Sequence, residues 1–177
     1  NNRSENTNEA EISFRVAGKT PVLWHPQTGK TEKLSYQIKD GRTIVPLKFE
    51  SWDAFFIIFK DRATANAYTK RHVTETTLLQ IESPGGVRFN DKIVAFEKLS
   101  SWAENADADI KYFSGTATSE NSFNLKAKGK GAYIIDLGDV KNIAEVMVNG
   151  KNMGIAWKKP FRLDIKGALK AGDNKIQ

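Results

Sequence analysis

Between Tyr133 and Ile165 the chain is a series of short apolar runs cut by turn dipeptides, a pattern that admits little but antiparallel β-structure. The run at 133–137 stops at Gly138-Asp139, and the run at 143–148 stops at Asn149-Gly150. Asn-Gly between apolar runs predicts a two-residue hairpin, because both central residues of a type I′ turn need φ > 0. The chain returns through Met153, Ile155 and Trp157, meets Pro160, and leaves on 161–165. There Phe161, Leu163 and Ile165 share one face while Arg162 and Asp164 share the other. Strands of this kind pack as an antiparallel β-sandwich.

The 177 residues suit one large or two small domains, and the apolar fraction is ordinary for a chain that buries a core. With no cysteine, disulfides and thiolate-bound zinc are excluded. No run reaches membrane-spanning length, and the start, Asn1-Asn2-Arg3-Ser4-Glu5-Asn6, is polar rather than a signal peptide. The start without methionine and the end at Lys175-Ile176-Gln177, where a strand is only beginning, read as a piece of a longer polypeptide. The net charge of +6 raises the question of nucleic acid. The basic residues are scattered among acids, however, and Lys126-Lys128-Lys130 reads as a solvated hairpin tip. Neither a nucleic-acid nor a membrane partner is expected.

Along the first half, residues 1–9 are polar and expected to fray. Strands are predicted at 11–16, 22–24, 34–39, 42–49 and 55–59, with Asp40-Gly41 as a tight turn. Pro46 requires the fourth of these to lie at an edge or carry a bulge. Residues 61–70 read as a linker, dividing a β-rich module at 1–66 from a second module at 67–177. In the second module 73–81 is a weak strand, Ser83-Pro84-Gly85-Gly86 is a turn, and short strands fall at 87–89 and 93–96. Ser101 and Glu104 suggest a capping box opening a short helix. Strands at 110–118 and 122–125 then lead into the apolar runs described first.

The run D-L-G-x-V, then A-E-V-x-V-N-G-K-x-x-G-x-x-W-x-x-P-F-R-x-D-I, resembles the sugar-binding jelly-roll domain of family 2-type glycoside hydrolases. The nearest likeness is to the version in large bacterial α-L-rhamnosidase-like enzymes. Tyr112-Phe113-Ser114-Gly115-Thr116-Ala117 resembles the Y-F-S-G-T-A-T-Y run of that domain, with Ser119 where an aromatic residue is expected. The first half resembles, less specifically, the β-rich segment that precedes it. The resemblance implies an all-β chain, a galactose-binding-like jelly roll preceded by a smaller sandwich. It further implies a non-catalytic accessory part of a periplasmic or secreted bacterial glycoside hydrolase. The partners would be a plant or host glycan and the catalytic domain of the same polypeptide.

Chemistry is sparse. Glycoside hydrolysis needs two facing carboxyl groups. The candidates Glu75, Glu82, Glu97, Glu104, Glu145 and Asp136 each read as turn, cap or outward strand residues, so no catalytic residue is assigned. His25 and His72 have no metal-ligand or triad spacing, and His25 before Pro26 reads as a turn residue. No cofactor and no metal ligand is assigned. The resemblance brings a structural calcium into view, for which Asp107, Asp109, Asp136 and Asp139 would supply oxygens. Carbohydrate recognition remains, by aromatic faces on the C–H side of a ring and polar groups on its hydroxyls. Trp157, Lys158, Arg162, Trp102 and Tyr112 are the candidates, and Phe113 and Phe161 read as core. A purely structural module without a sugar ligand is the alternative.

Overall fold

The computed structural model describes residues 1–63, 67–69, 73–81, 85–98 and 100–177. His72, Glu82 and the Ser83-Pro84 half of the expected turn lie outside these. The chain forms two compact units, residues 1–75 with 158–160, and residues 76–157 with 161–177. The expected boundary at 66/67 falls earlier than this division, because the two-residue strand that follows it belongs with the first unit's strands.

The first unit has seven strands: β1 (Asn8–Phe14), β2 (Lys19–Trp24), β3 (Thr31–Lys33), β4 (Tyr36–Lys39), β5 (Arg42–Phe49), β6 (Phe56–Arg62) and β7 (Ala67–Tyr68). They make two antiparallel sheets, ordered β1-β5-β4-β7 and β3-β2-β6. The alternation seen in the sequence turns Ile12 and Phe14, Val45 and Leu47, and Leu23 inward to one shared core with Leu34 and Tyr36. The Asp40-Gly41 turn forms with φ of 51° and 70°, the mirror-image turn that matches strand twist. Two strands are additional to the sequence reading. β3 is wholly polar and β7 is two residues long, so neither carries an apolar signal. Pro46 is accommodated as an edge residue: β4 pairs with β5 only as far as Ile44, and no bulge interrupts the β1–β5 register. The amino terminus does not fray. Asn2 donates through its side-chain amide to the Asn6 and Glu50 carbonyls, at 2.8 and 2.9 Å.

The second unit holds β8 (Gly85–Phe89), β9 (Lys92–Phe96), β10 (Ala117–Leu125), β11 (Ile134–Asp136), β12 (Ala144–Val148), β13 (Lys151–Ala156), β14 (Arg162–Asp164) and β15 (Gly172–Ile176). A six-stranded sheet, β13-β12-β15-β10-β8-β9, faces the pair β11–β14. Val146 and Val148 from the large sheet meet Tyr133, Ile135 and Leu163 from the small one, closed over by Ile165 and Leu169. β15, expected only to be starting, sits inside the sheet between β10 and β12. A second apolar patch gathers Val87 and Phe89 with Ile110, Trp102 and Phe113.

Three local expectations are corrected here. Residues 73–81 form no strand, and Val73, Leu78 and Leu79 are exposed. Ser101 makes no side-chain cap, and Trp102–Glu104 is a single 3₁₀ turn. The helix, α1 (Ala108–Lys111), lies where a strand was expected to begin. Asp107 caps it, accepting from the Asp109 N–H, and Ile110 is buried beneath it. One buried side chain and a strong cap outweigh the weak β tendency of this segment. In both units the antiparallel all-β sandwich is what forms.

Candidate functional site

The placement of Trp157 follows from one extra residue in β13. The β12–β13 register runs Val146↔Gly154, then Met147↔Asn152, leaving Met153 unopposed. A bulge of this kind shifts the two-residue phase of everything beyond it. Met153 packs in the core, yet Ala156 is the inward residue further on, and Ile155 and Trp157 both point outward. Without the bulge, Met153, Ile155 and Trp157 would share one face, as the bare sequence suggests. Each of Ile155, on the edge strand of the sheet, and Trp157, directly after it, is 55% exposed. An outward indole beside an apolar neighbour can cover the C–H face of a sugar ring.

Arg162, on β14, is half-buried with its Nε covered. Its Nε lies 3.6 Å from Asp136 Oδ2, the residue opposite it on β11. Lys158 is differently placed. It belongs with the first unit, where its ammonium lies 2.6 Å from Asp53 Oδ1, with both side chains about four-fifths buried. That ammonium is committed to holding structure. Trp102 sits edge-on to Phe89 at 5.7 Å, half-buried in the second apolar patch. Tyr112 closes α1 through its backbone N–H, and its ring is 76% exposed with the Lys111 ammonium 5.6 Å from its centroid. The five candidates therefore fall on separate features. Trp102 and Tyr112 share the helical segment, Trp157 follows β13 directly, Arg162 stands on β14, and Lys158 is in the other unit. Phe113 packs at right angles on Phe89, and Phe161 is buried.

The acids go to separate partners. Glu145 accepts from the Asn152 amide, Glu120 pairs with Lys175 at 2.7 Å, and Glu50 pairs with Lys48 at 2.9 Å. Of the four aspartates considered for calcium, Asp109 sits beside Asp107 at the start of α1, and the other three each have a cation beside them. Asp107 is bonded to Lys92, Asp136 faces Arg162, and Asp139 pairs with Lys141 at 2.7 Å. The bond from Lys92, reinforced by the Asp109 N–H, holds the Asp107 carboxyl below its ordinary range. Among the described residues no three histidines or carboxylates converge as a metal site would require. His25 closes a turn with its backbone, donating to Lys30 O at 2.9 Å and accepting from Gly29 at 2.9 Å.

One exposed aromatic feature escaped the sequence reading. Trp24 and Phe56 are opposite each other on β2 and β6, with ring centroids 5.9 Å apart. Both are exposed. Phe56 lies in a continuous apolar run, which by itself signals burial on both faces; only the pairing shows that it ends the sheet beside Trp24.

Comparison with known proteins bears on this geometry. The model of the α-L-rhamnosidase family matches residues 1–38. A protein of Formosa agariphila named "Putative beta-glucuronidase" is 44% identical over 87 residues, which is 48% of this chain and 8% of that protein. The solved structure of a rhamnosidase from a Novosphingobium species matches 99% of the chain with a TM-score of 0.92 and 37% identity. The chain is glycoside hydrolase-like. It spans 17% of the rhamnosidase's length. The likeness expected from residues 112–165 thus holds, while the family-model match falls on the first unit, where the sequence signal was less specific.

Proposed function

We propose that the chain is a non-catalytic part of a glycoside hydrolase, a support for the catalytic domain of the same polypeptide that also holds carbohydrate. The observation that carries this reading is the likeness of nearly the whole chain to under a fifth of a rhamnosidase. The dispersal of the acids into separate pairs supports a chain that leaves bond cleavage to residues elsewhere in the parent. The second unit is read as the galactose-binding-like jelly roll. Trp157, outward directly after an edge strand, with Arg162 on the neighbouring small sheet, is its sugar-facing residue. The parent's linkage is a rhamnoside or a β-glucuronide, the bonds for which the two relatives are named.

Titration of the 177-residue chain with rhamnose, galactose and uronate oligosaccharides, followed by tryptophan fluorescence, tests the reading. Saturable quenching that disappears in Trp157→Ala, with the circular dichroism unchanged, is expected. Turnover of an aryl glycoside by the chain alone would overturn the non-catalytic assignment. A purely structural role is the second reading, favoured by the exposed Trp24–Phe56 pair, which suits a contact with the parent's catalytic domain. Quenching unchanged in Trp157→Ala, or absent with every sugar, would leave that reading in its place.

A further inference from the structure

The lysines of the second unit are of two sorts. Lys92, Lys141 and Lys175 pair with Asp107, Asp139 and Glu120. Apart from Lys98, after β9, and Lys111, in α1, the others collect at one end of the sandwich. There β10 finishes, β15 begins, and β12 turns back into β13: Leu125 is opposite Gly172, and Asn149 reaches Lys175 O with its N–H and Ala168 O with its amide. The loops at this end carry the six lysines Lys126, Lys128, Lys130, Lys151, Lys166 and Lys170. None of the six makes an ion pair among the described residues.

Three of them bond instead to backbone carbonyls. Lys128 donates to Leu169 O at 2.8 Å, Lys151 to Gly167 O at 3.5 Å, and Lys166 to Lys130 O. Two of these bonds tie the 126–131 loop to the 166–170 loop, so they hold like charges close rather than letting them spread. Lys126, Lys130 and Lys170 remain exposed, with no partner for their ammonium groups among the described residues. Nearby acids do not answer them. Asp164 accepts from the Lys166 N–H, and Asp173 is bonded to the Asn124 amide. Gathering cations without carboxylates costs free energy through repulsion, a cost that an anionic ligand removes.

We propose that this end of the second unit binds an anionic glycan, a chain bearing uronate carboxylates or sulfate esters, across Lys126, Lys130 and Lys170. The proposal rests on the glycan-directed reading above and adds the charge of the glycan and a second surface for it. Flexible ammonium groups suit carboxylates or sulfates repeated along a polymer, because they act as point charges without fixed geometry. Nucleic acid fits less well. The two loops contain no arginine to fork a phosphate and no aromatic residue, and Tyr133, just beyond the first, is half-buried with its hydroxyl accepting from the Gly129 N–H.

Electrophoresis of the whole chain through gels containing polygalacturonate, dextran sulfate or neutral dextran tests this, with a DNA duplex as a fourth arm. Retardation by one or both acidic polymers and none by neutral dextran is expected, and which polymer acts separates uronate from sulfate. Lys126→Gln, Lys130→Gln and Lys170→Gln together should weaken retardation about tenfold, as loss of three exposed contacts would. Lys48→Gln, Lys92→Gln and Lys141→Gln remove the same charge from paired lysines and should leave it nearly unchanged. Equal loss in both triple variants, no retardation at all, or tighter binding to DNA would overturn the proposal. Trp157 quenching by neutral sugars is read separately, so its survival in such a case would leave the accessory reading standing.

Discussion

Two of the tight hairpins, β4–β5 and β12–β13, use the same turn and come to different ends. Asp40-Gly41 and Asn149-Gly150 both place two residues at positive φ, 51° and 70° in one, 52° and 78° in the other. β4 and β5 then pair without a register shift, and β5 keeps Val45 and Leu47 inward. β12 and β13 pair around an unopposed Met153, and beyond it Ile155 and Trp157 point outward. The turn residues differ as well. Asn149 makes three side-chain bonds, to Ala168 O and Asn174 Oδ1 as donor and from the Lys175 N–H as acceptor, each at 2.9 Å. Asp40 serves its turn through backbone conformation. A turn can thus be a local device or a clamp on distant loops, and the dipeptide alone does not distinguish them.

Substitution at the turns should separate the hairpins most. Asn149→Ala should cost about 3 kcal/mol, three modest hydrogen bonds plus alanine's poorer fit to positive φ, whereas Asp40→Ala should cost about 1. Urea unfolding of each variant reads the difference, and equal losses would remove the distinction. The cores should then behave alike. Val45 and Val148 are both fully buried, and truncation of either to alanine should cost about 2.5 kcal/mol by the same unfolding measurement. Next in size is the backbone. Gly154 has φ 118°, outside the left-handed well, with Leu163 Cδ2 3.7 Å from where a Cβ would stand. Gly154→Ala should therefore cost about 2 kcal/mol from conformation rather than clash, against about 1 for Gly41→Ala at φ 70°.

The smallest effect concerns pH. Lys48, on β5, bonds to Glu50 and holds that carboxyl below its ordinary value in the folded chain. A lowered folded value means that the pair contributes stability above the unfolded value and loses it as pH falls through the folded one. The pair is largely exposed, so the contribution is under about 1 kcal/mol. Thermal unfolding of wild type against Glu50→Gln from pH 6 downward should converge as the carboxyl protonates. A difference that persists would assign the effect to packing.

What was legible in the sequence follows from these cases. Alternation and Asn-Gly announce strands and turns because both are local, and the sandwich cores follow from Val45, Leu47, Val146 and Val148. The bulge at Met153 is not local. It is fixed by what opposes it across the sheet, so the outward direction of Trp157 was hidden. β3 was hidden because Thr31-Glu32-Lys33 pairs through backbone alone. α1 was hidden because a four-residue helix depends on the burial of Ile110, a tertiary event. Of the candidate sugar contacts, residue type was readable, but the commitment of Lys158 to Asp53 was not, since 105 positions separate them.

That last pair bears on how the molecule can be taken apart. The first unit consists of residues 1–75 and the returning segment 158–160, so it is not a continuous stretch of chain. A protease or a gene truncation acting at a single point near residue 75 would free a piece whose Asp53 has lost its cation from the interior. Clean separation needs two cuts or a graft that carries Lys158 back on a linker. For relatives with this plan, the safe unit of transfer is the whole pair of sandwiches.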